Sequence, residues 1–298
     1  MTGAVVDGDL PSLSVVIPTF NCGPFLSAAL ASVRAQEWPH LEVVVVDDGS
    51  TDGTADLLAP MAGRGELLFL QRTNTGPSAA RNAGIRAASG TYVIFLDADD
   101  TWEPGAFRAI WAAMQAAPGT AWCVVDIVRV YPDRDEFRAA AVPAGDPVFA
   151  MLEENYVQRC GFFFRQTLLD VGLFDESYRI FEDWDLFIRL SLAGIKAAYA
   201  PGPWYRYFVR GDSITRDHRL LVESRERLIR KHHRRLALTG EPEMRKLYAH
   251  LLWKLAREYH YVLGRSGKAI LLLAESVRWH SAPRRLLSAV GVFRRRTD

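Results

Sequence analysis

The apolar run Val93-Ile94-Phe95-Leu96 stops abruptly at Asp97-Ala98-Asp99-Asp100, three carboxylates within four residues. A continuous apolar run of this length reads as a strand buried on both faces, the kind found in parallel sheets. In open α/β sheets the ligand crevice lies beyond the carboxyl ends of such strands, so these carboxylates stand where a ligand would bind. Their oxygens suit hard divalent ions. Mg²⁺ in particular is usually held by one or two carboxylates, with substrate phosphates completing its shell. The alternative is that one or more of the three merely opens the helix expected over 103–117, since Asp favours N-caps and Pro104 the first turn.

The surrounding sequence extends this pattern. A strand is expected at 14–17, a helix at 25–36, a strand at 42–46, a helix through Leu57 and Leu58, a strand at 67–70, a helix through Arg81 and Ile85 ending near Gly90, and then the Val93 strand. Such alternation predicts right-handed βαβ units and an α/β fold with a mostly parallel, mixed sheet flanked by helices. Past residue 117 the pattern changes: strands are expected at 122–130 and 162–164, separated by an irregular stretch to 146. A helix is expected to open at Glu182-Asp183-Trp184-Asp185 and stop at Gly194, and the chain beyond Tyr207 reads as helical. Residues 204–215, rich in aromatics, Arg, Gly and Ser, read as a loop able to close over a phosphate ligand.

The 298 residues are 49% apolar and 24% charged, an ordinary globular composition. The net charge of +1 hides an asymmetry. Residues 216–298 hold 20 Lys/Arg against 8 Asp/Glu, a net +12, and residues 1–215 hold 16 against 27, a net −11. The basic stretch carries Arg230-Lys231-His232-His233-Arg234-Arg235, Arg284-Arg285 and Arg294-Arg295-Arg296, interleaved with Trp253, Trp279 and Phe293. It suits either a peripheral contact with anionic lipid or a solvated face on a bundle or dimer interface, with His232 and His233 part of that face. No apolar run is long enough to span a bilayer, and the first ten residues lack a signal pattern, so the expected location is cytoplasmic, with peripheral attachment to the inner face of a membrane open. Cys22, Cys123 and Cys160 form no CxxC pair and read as buried apolar residues. Three parts are expected: a disordered tail over 1–12, a catalytic domain over 13–215 and a basic helical region over 216–298.

Taken in order, Ser14-Val15-Val16-Ile17-Pro18-Thr19-Phe20-Asn21, Val46-Asp47-Asp48-Gly49-Ser50-Thr51-Asp52-Gly53-Thr54, Ala80-Arg81-Asn82-Ala83-Gly84, Phe95-Leu96-Asp97-Ala98-Asp99-Asp100 and Phe181-Glu182-Asp183-Trp184-Asp185-Leu186 closely resemble the family 2 glycosyltransferases. The resemblance covers about residues 13–207. It implies a GT-A fold and an inverting transfer of sugar from a nucleoside diphosphate donor, most simply a UDP-sugar, to a hydroxyl of a glycan, lipid-linked or other cell-surface acceptor. It also implies a donor site of Pro18, Thr19, Phe20, Asp48, Arg81, Asp97 and Ala98, Mn²⁺ or Mg²⁺ on Asp99, and Asp183 as the base.

The residues allow these roles and others. Phe20 can stack on a nucleobase or lie in the core under the first helix. Asp48 can accept a base N–H, while Asp47 or Asp52 caps the next helix. Arg81 can meet a diphosphate or form a surface ion pair. Asp100 can be a further ligand through water or a cap. Asp183 can take a proton from an acceptor hydroxyl, with Glu182 and Asp185 raising its pKa by like charge, or can simply cap its helix. Arg210, Ser213 and His218 are further candidates to touch the diphosphate, and residues 133–158 to shape the acceptor site. A nucleotidyltransferase and a non-catalytic nucleotide-sugar binder are the competing classes. The first is disfavoured because Pro18-Thr19-Phe20-Asn21-Cys22-Gly23 is no Gly-rich phosphate loop, and the second because a pure binder needs no base. No nucleic-acid partner is expected.

Overall fold

The computed structural model describes residues 10–140, 147–155, 157, 159–211 and 214–280. They form two compact units, one of Met1–Ala150 with Asn155–Gly211 and one of Met151–Glu154 with Asp212–Asp298.

The first unit is built on a nine-stranded mixed sheet. Its strands are β1 (Leu13–Thr19), β2 (Leu41–Asp47), β3 (Leu68–Gln71), β4 (Tyr92–Phe95), β5 (Thr101–Trp102), β6 (Thr120–Val130), β7 (Asp135–Arg138), β8 (Arg159–Phe164) and β9 (Lys196–Phe208). The order is β3-β2-β1-β4-β8-β6-β9-β5, with β7 on β6. Helices α1 (Gly23–Arg34), α2 (Thr54–Gly63) and α3 (Pro77–Ala87) link the parallel strands β1 to β4. The apolar runs of β1, β2 and β4 are almost wholly buried, as strands covered on both faces must be. Because β1 pairs with β2 on one side while β4 joins its other edge, the strand order reverses at β1, and the carboxyl ends of β1 and β4 are where the ligand crevice of such a sheet falls. Helix α3 lies hard on β1: a Cβ on Gly84 would come within 2.3 Å of Val16 Cγ1.

Beyond β4 the sheet turns antiparallel through β8 and back to parallel between β6 and β9, with α4 (Ala106–Ala116), α6 (Arg165–Asp170) and α7 (Glu182–Leu192) packed around it. The stop of α7 at Gly194 is a Schellman motif, in which Ile195 N donates to Leu190 O and Gly194 N to Ser191 O at φ +71°.

Several expectations need correction. Residues 10–12 are not a loose tail: Leu10 is buried and the Pro11 carbonyl accepts from Trp38 Nε1 at 2.9 Å, an indole donor that would otherwise be stranded in the core. Thr101-Trp102 is a short strand pairing β9, so α4 starts at Ala106 and not at residue 103. The irregular stretch contains β7, and α5 (Pro147–Glu153) follows it in the chain. Residues 204–208 are the end of β9 and not a loop, because they pair with β6 after a bulge at Pro201-Gly202-Pro203 that the buried Asp126 holds by accepting from Gly202 N and Tyr199 OH.

In the second unit, α8 (His218–Ala237), α9 (Pro242–Tyr261) and α10 (Ser266–Trp279) pack through Ile229, Leu251, Leu255 and Leu272. Glu226 ties the three together, accepting from Arg230 on α8, Tyr259 on α9 and Lys268 on α10 at 2.7, 2.7 and 2.8 Å. His232 and His233 are buried and not a solvated face. His233 Nε2 lies 2.5 Å from the Leu152 carbonyl within this unit, an inward partner the basic run around it concealed. Among the described residues no helix is long and apolar enough to cross a membrane. Residues 281–298, with their Arg clusters, lie outside the described ones.

Candidate active site

The loops after β1 and β2 are knitted together by short polar side chains. Asn21, held at φ +52°, accepts from Thr51 N and donates its own N–H to Ser50 Oγ, and Asp52 joins the starts of α1 and α2 by accepting from Gly23 N and Thr54. Asp47 closes the turn after β2 by accepting from Ser50 N and Oγ. The cap position of α2 itself falls to Gly53. Asp48 is buried and accepts from Thr75 N, Thr75 Oγ1 and Gly76 N, so it fixes the loop before α3 at the lip of the crevice. Arg72, which the sequence did not single out, joins this loop through Thr75 Oγ1.

At the end of β1, Pro18 and Thr19 are still strand and Thr19 is buried, whereas the Phe20 ring is 45% exposed. The ring is therefore not in the core under α1, where Leu26 and Leu30 are buried instead.

The carboxylates after β4 divide. Asp100 is buried, its Oδ2 accepting from Tyr205 OH at 2.6 Å and its Oδ1 from Phe208 N at 2.9 Å. Both oxygens are thus turned to β9, which makes Asp100 a strut; the cap position of α4 falls to Gly105, so Asp100 is not the helix cap. Tyr205 OH also accepts from Asp97 N at 3.4 Å. Ala98 is buried, and Asp99 keeps a third of its side chain exposed, with Arg210 Nη1 3.8 Å from its Oδ2.

Arg81 is no surface ion pair. It is 12% exposed, donates to Asp97 Oδ1 at 2.9 Å and to Glu182 Oε1 at 2.7 Å, and lies over the Phe174 ring. Its two terminal nitrogens therefore join the β4 turn to the start of α7. The neighbouring Asn82, quoted in the sequence but given no role there, donates to the Phe174 carbonyl and accepts from Phe174 N; with Ser78 Oγ on the Tyr178 carbonyl it pins the loop that delivers α7.

The cap position of α7 is Phe181 at φ +70°, which puts Asp183 inside the first turn, exposed, and not at the cap. Burial pushes the Glu182 carboxyl above its ordinary range and Asp183 adds to this, while Arg81 opposes it. Asp185 is fully buried on Arg189, which also donates to the Val171 and Leu173 carbonyls. Cys22 is half-buried with its thiol pushed up by burial and by Asp99, and burial takes the Cys123 thiol up to about 12; neither is an activated nucleophile. The Cys160 side chain and Ser213 lie outside the described residues, and His218 stands exposed in the first turn of α8 in the second unit.

Among the described residues no group of three or more His, Cys, Asp or Glu side chains forms a ready metal cage. The donor set at Asp99 nonetheless fits Mg²⁺ or Mn²⁺, a hard cation held by one accessible carboxylate with phosphate oxygens completing the shell.

The family model described as Glycosyl transferase family 2 matches residues 14–176. The succinoglycan biosynthesis protein ExoO of Rhizobium meliloti is 35% identical over 226 residues, covering 71% of this chain and 64% of its own length. The matched stretch thus spans less than two thirds of that relative. Among solved structures, TarS 1-349 of S. aureus in complex with UDP-GlcNAc is similar at a TM-score of 0.68 and 18% identity, over 94% of this chain and 88% of the other. The mannosyltransferase PcManGT from Pyrobaculum calidifontis, in complex with GDP-Man and Mn²⁺, is similar at 0.60 and 22% identity, over 97% and 82%. These two likenesses concern the fold.

Proposed function

The chain belongs to glycosyl transferase family 2, and from that premise we propose that it is an inverting glycosyltransferase that moves a sugar from a UDP-sugar to a hydroxyl of a glycan or lipid-linked acceptor in polysaccharide or cell-envelope synthesis. The observation that carries the reading is the Asp97–Arg81–Glu182 chain of ion pairs, which binds the carboxylate turn after β4 to the helix turn bearing Asp183. Such a bridge holds a donor-binding group and a proton-accepting group in fixed relation, as a single-displacement transfer requires.

Phe20 offers a ring for the nucleobase, and Asp48 with the 74–76 loop borders it. Pro18, Thr19 and Ala98 are assigned to the donor site with them, and Asp97, held by Arg81, is assigned to the ribose. Asp99 would hold the divalent cation, which when bound neutralises charge growing on the departing diphosphate. Asp183 takes the proton from the acceptor hydroxyl as its oxygen bonds to the anomeric carbon and the bond from that carbon to the diphosphate breaks on the opposite face. Glu182 and Arg81 place Asp183, and Asp185 anchors its helix. Arg210 remains a candidate to meet the diphosphate, and residues 133–158 to shape the acceptor site. The succinoglycan biosynthesis in the name of ExoO supports a glycan acceptor, and the basic 216–298 region supports peripheral contact with an anionic membrane.

The test is transfer of label from a panel of UDP-sugars, with Mn²⁺, into lipid and glycan extracts, for the wild type and Asp183→Asn. The reading expects incorporation from one donor, with kcat reduced about 100-fold or more in the variant. Undiminished transfer by the variant would remove Asp183 as the base.

A further inference from the structure

We propose that Arg210 is a built-in counter-ion that holds the cation position on Asp99 until a nucleoside diphosphate draws it away, so that divalent metal and nucleotide bind interdependently. This rests on reading Asp99 as the metal-binding carboxylate.

The guanidinium reaches Asp99 from a defined place. Its Nη1 lies 3.8 Å from Asp99 Oδ2, and its carbon sits 4.1 Å from the centre of the Phe25 ring on α1, a cation–π seat. The backbone below it is clamped. Phe208 N donates to Asp100, Val209 N donates to the Val130 carbonyl at 2.9 Å, and Asp100 is held in turn by Tyr205. Asp99 and Arg210 therefore each adjoin a residue of one strut-and-strand unit, and their spacing is set by β9. The nearby Cys22 thiol senses both charges, pushed up by Asp99 and eased down by Arg210 after the larger effect of burial.

Two cations on one carboxylate repel, so a divalent ion arriving alone must displace the guanidinium or tolerate it. A nucleoside diphosphate changes this. Its oxygens suit the planar fork of an arginine, and it brings ligands of its own for the metal. Moving Arg210 from Asp99 to the diphosphate removes the competitor and neutralises the ligand in one step. By linkage, metal must then tighten nucleotide by the factor with which nucleotide tightens metal.

The experiment measures Mn²⁺ binding to the full chain by the loss of the free-ion electron-spin signal, alone and with saturating UDP, for the wild type, Arg210→Gln, Arg210→Lys and Asp99→Asn. The proposal expects Arg210→Gln to bind Mn²⁺ alone roughly fivefold more tightly than the wild type, the order expected for a partly exposed ion pair. The enhancement by UDP should shrink by a similar factor, and Arg210→Lys, which keeps the charge, should resemble the wild type without UDP. If Arg210→Gln binds Mn²⁺ alone no better than the wild type while Asp99→Asn loses it, the counter-ion role is wrong and the metal site stands. If Asp99→Asn binds Mn²⁺ as the wild type does, the reading of Asp99 falls and the proposal with it.

Discussion

Glu182 carries a carboxyl whose pKa is raised, and the sign of its effect on stability follows from the causes. Burial, then Asp183, raise its pKa against the pull of Arg81. The folded protein therefore keeps this proton to a higher pH than the unfolded chain does, and over that interval stability falls as pH rises. Glu182→Gln cannot titrate, so its thermal midpoint should fall less than that of the wild type as pH is raised from the ordinary carboxylate range toward neutrality. Parallel curves for the two proteins would show that Arg81 neutralises the burial effect completely. Which adjacent carboxylate does what was only partly legible in the sequence. The order Glu182-Asp183 was visible, but the buried partner on Arg81, 101 positions away, was not. The resemblance gave Asp97, Asp99 and Asp100 different roles, but that one is salt-bridged, one accessible and one buried is visible only in the fold.

Among the elements, β9 does the separating. Strands β1, β2 and β4 announced themselves as apolar runs, and α7 by its periodicity and terminal Gly194. Strand β5 has two residues and β9 is interrupted by Pro201-Gly202-Pro203, so neither shows a period of two, and their pairing depends on residues about a hundred positions apart. That pairing is what turns Tyr205 into the hydroxyl donor for Asp100. Tyr205→Phe leaves a buried carboxylate oxygen without this bond and should cost about 1–3 kcal/mol in chemical denaturation. It should also weaken Mn²⁺ binding, since the Asp99 turn loses its strut. A variant as stable as the wild type would mean that the ring packing of Tyr205 on Trp102, with centroids 4.8 Å apart, is what matters and the hydroxyl is idle.

Across the whole molecule the charge asymmetry in the sequence coincides with the two compact units, an acidic α/β unit and a basic helical one. The helical unit hides a titrating group that its basic sequence disguised as surface. Burial, with the neighbouring His232 adding, lowers the His233 pKa from 6.5 to about 4. The unfolded chain binds this proton first, so stability falls as pH drops from 6.5 toward 4, by roughly 3 kcal/mol in full. His233→Gln, which keeps an N–H for the Leu152 carbonyl, should lose that acid dependence in pH-resolved unfolding of the helical signal; an unchanged slope would assign it to other groups. For the α/β unit, the central claim is that nucleotide and metal meet beyond the carboxyl ends of β1 and β4. Calorimetric titration with UDP, GDP and dTDP, with and without Mn²⁺, on the wild type, Asp99→Ala and Asp183→Asn tests it most directly. The account predicts that one nucleotide, UDP first among them, binds only with metal, that Asp99→Ala abolishes this binding and that Asp183→Asn retains it. Metal-dependent binding that survives in Asp99→Ala, or no binding of any nucleotide to the wild type, would contradict it.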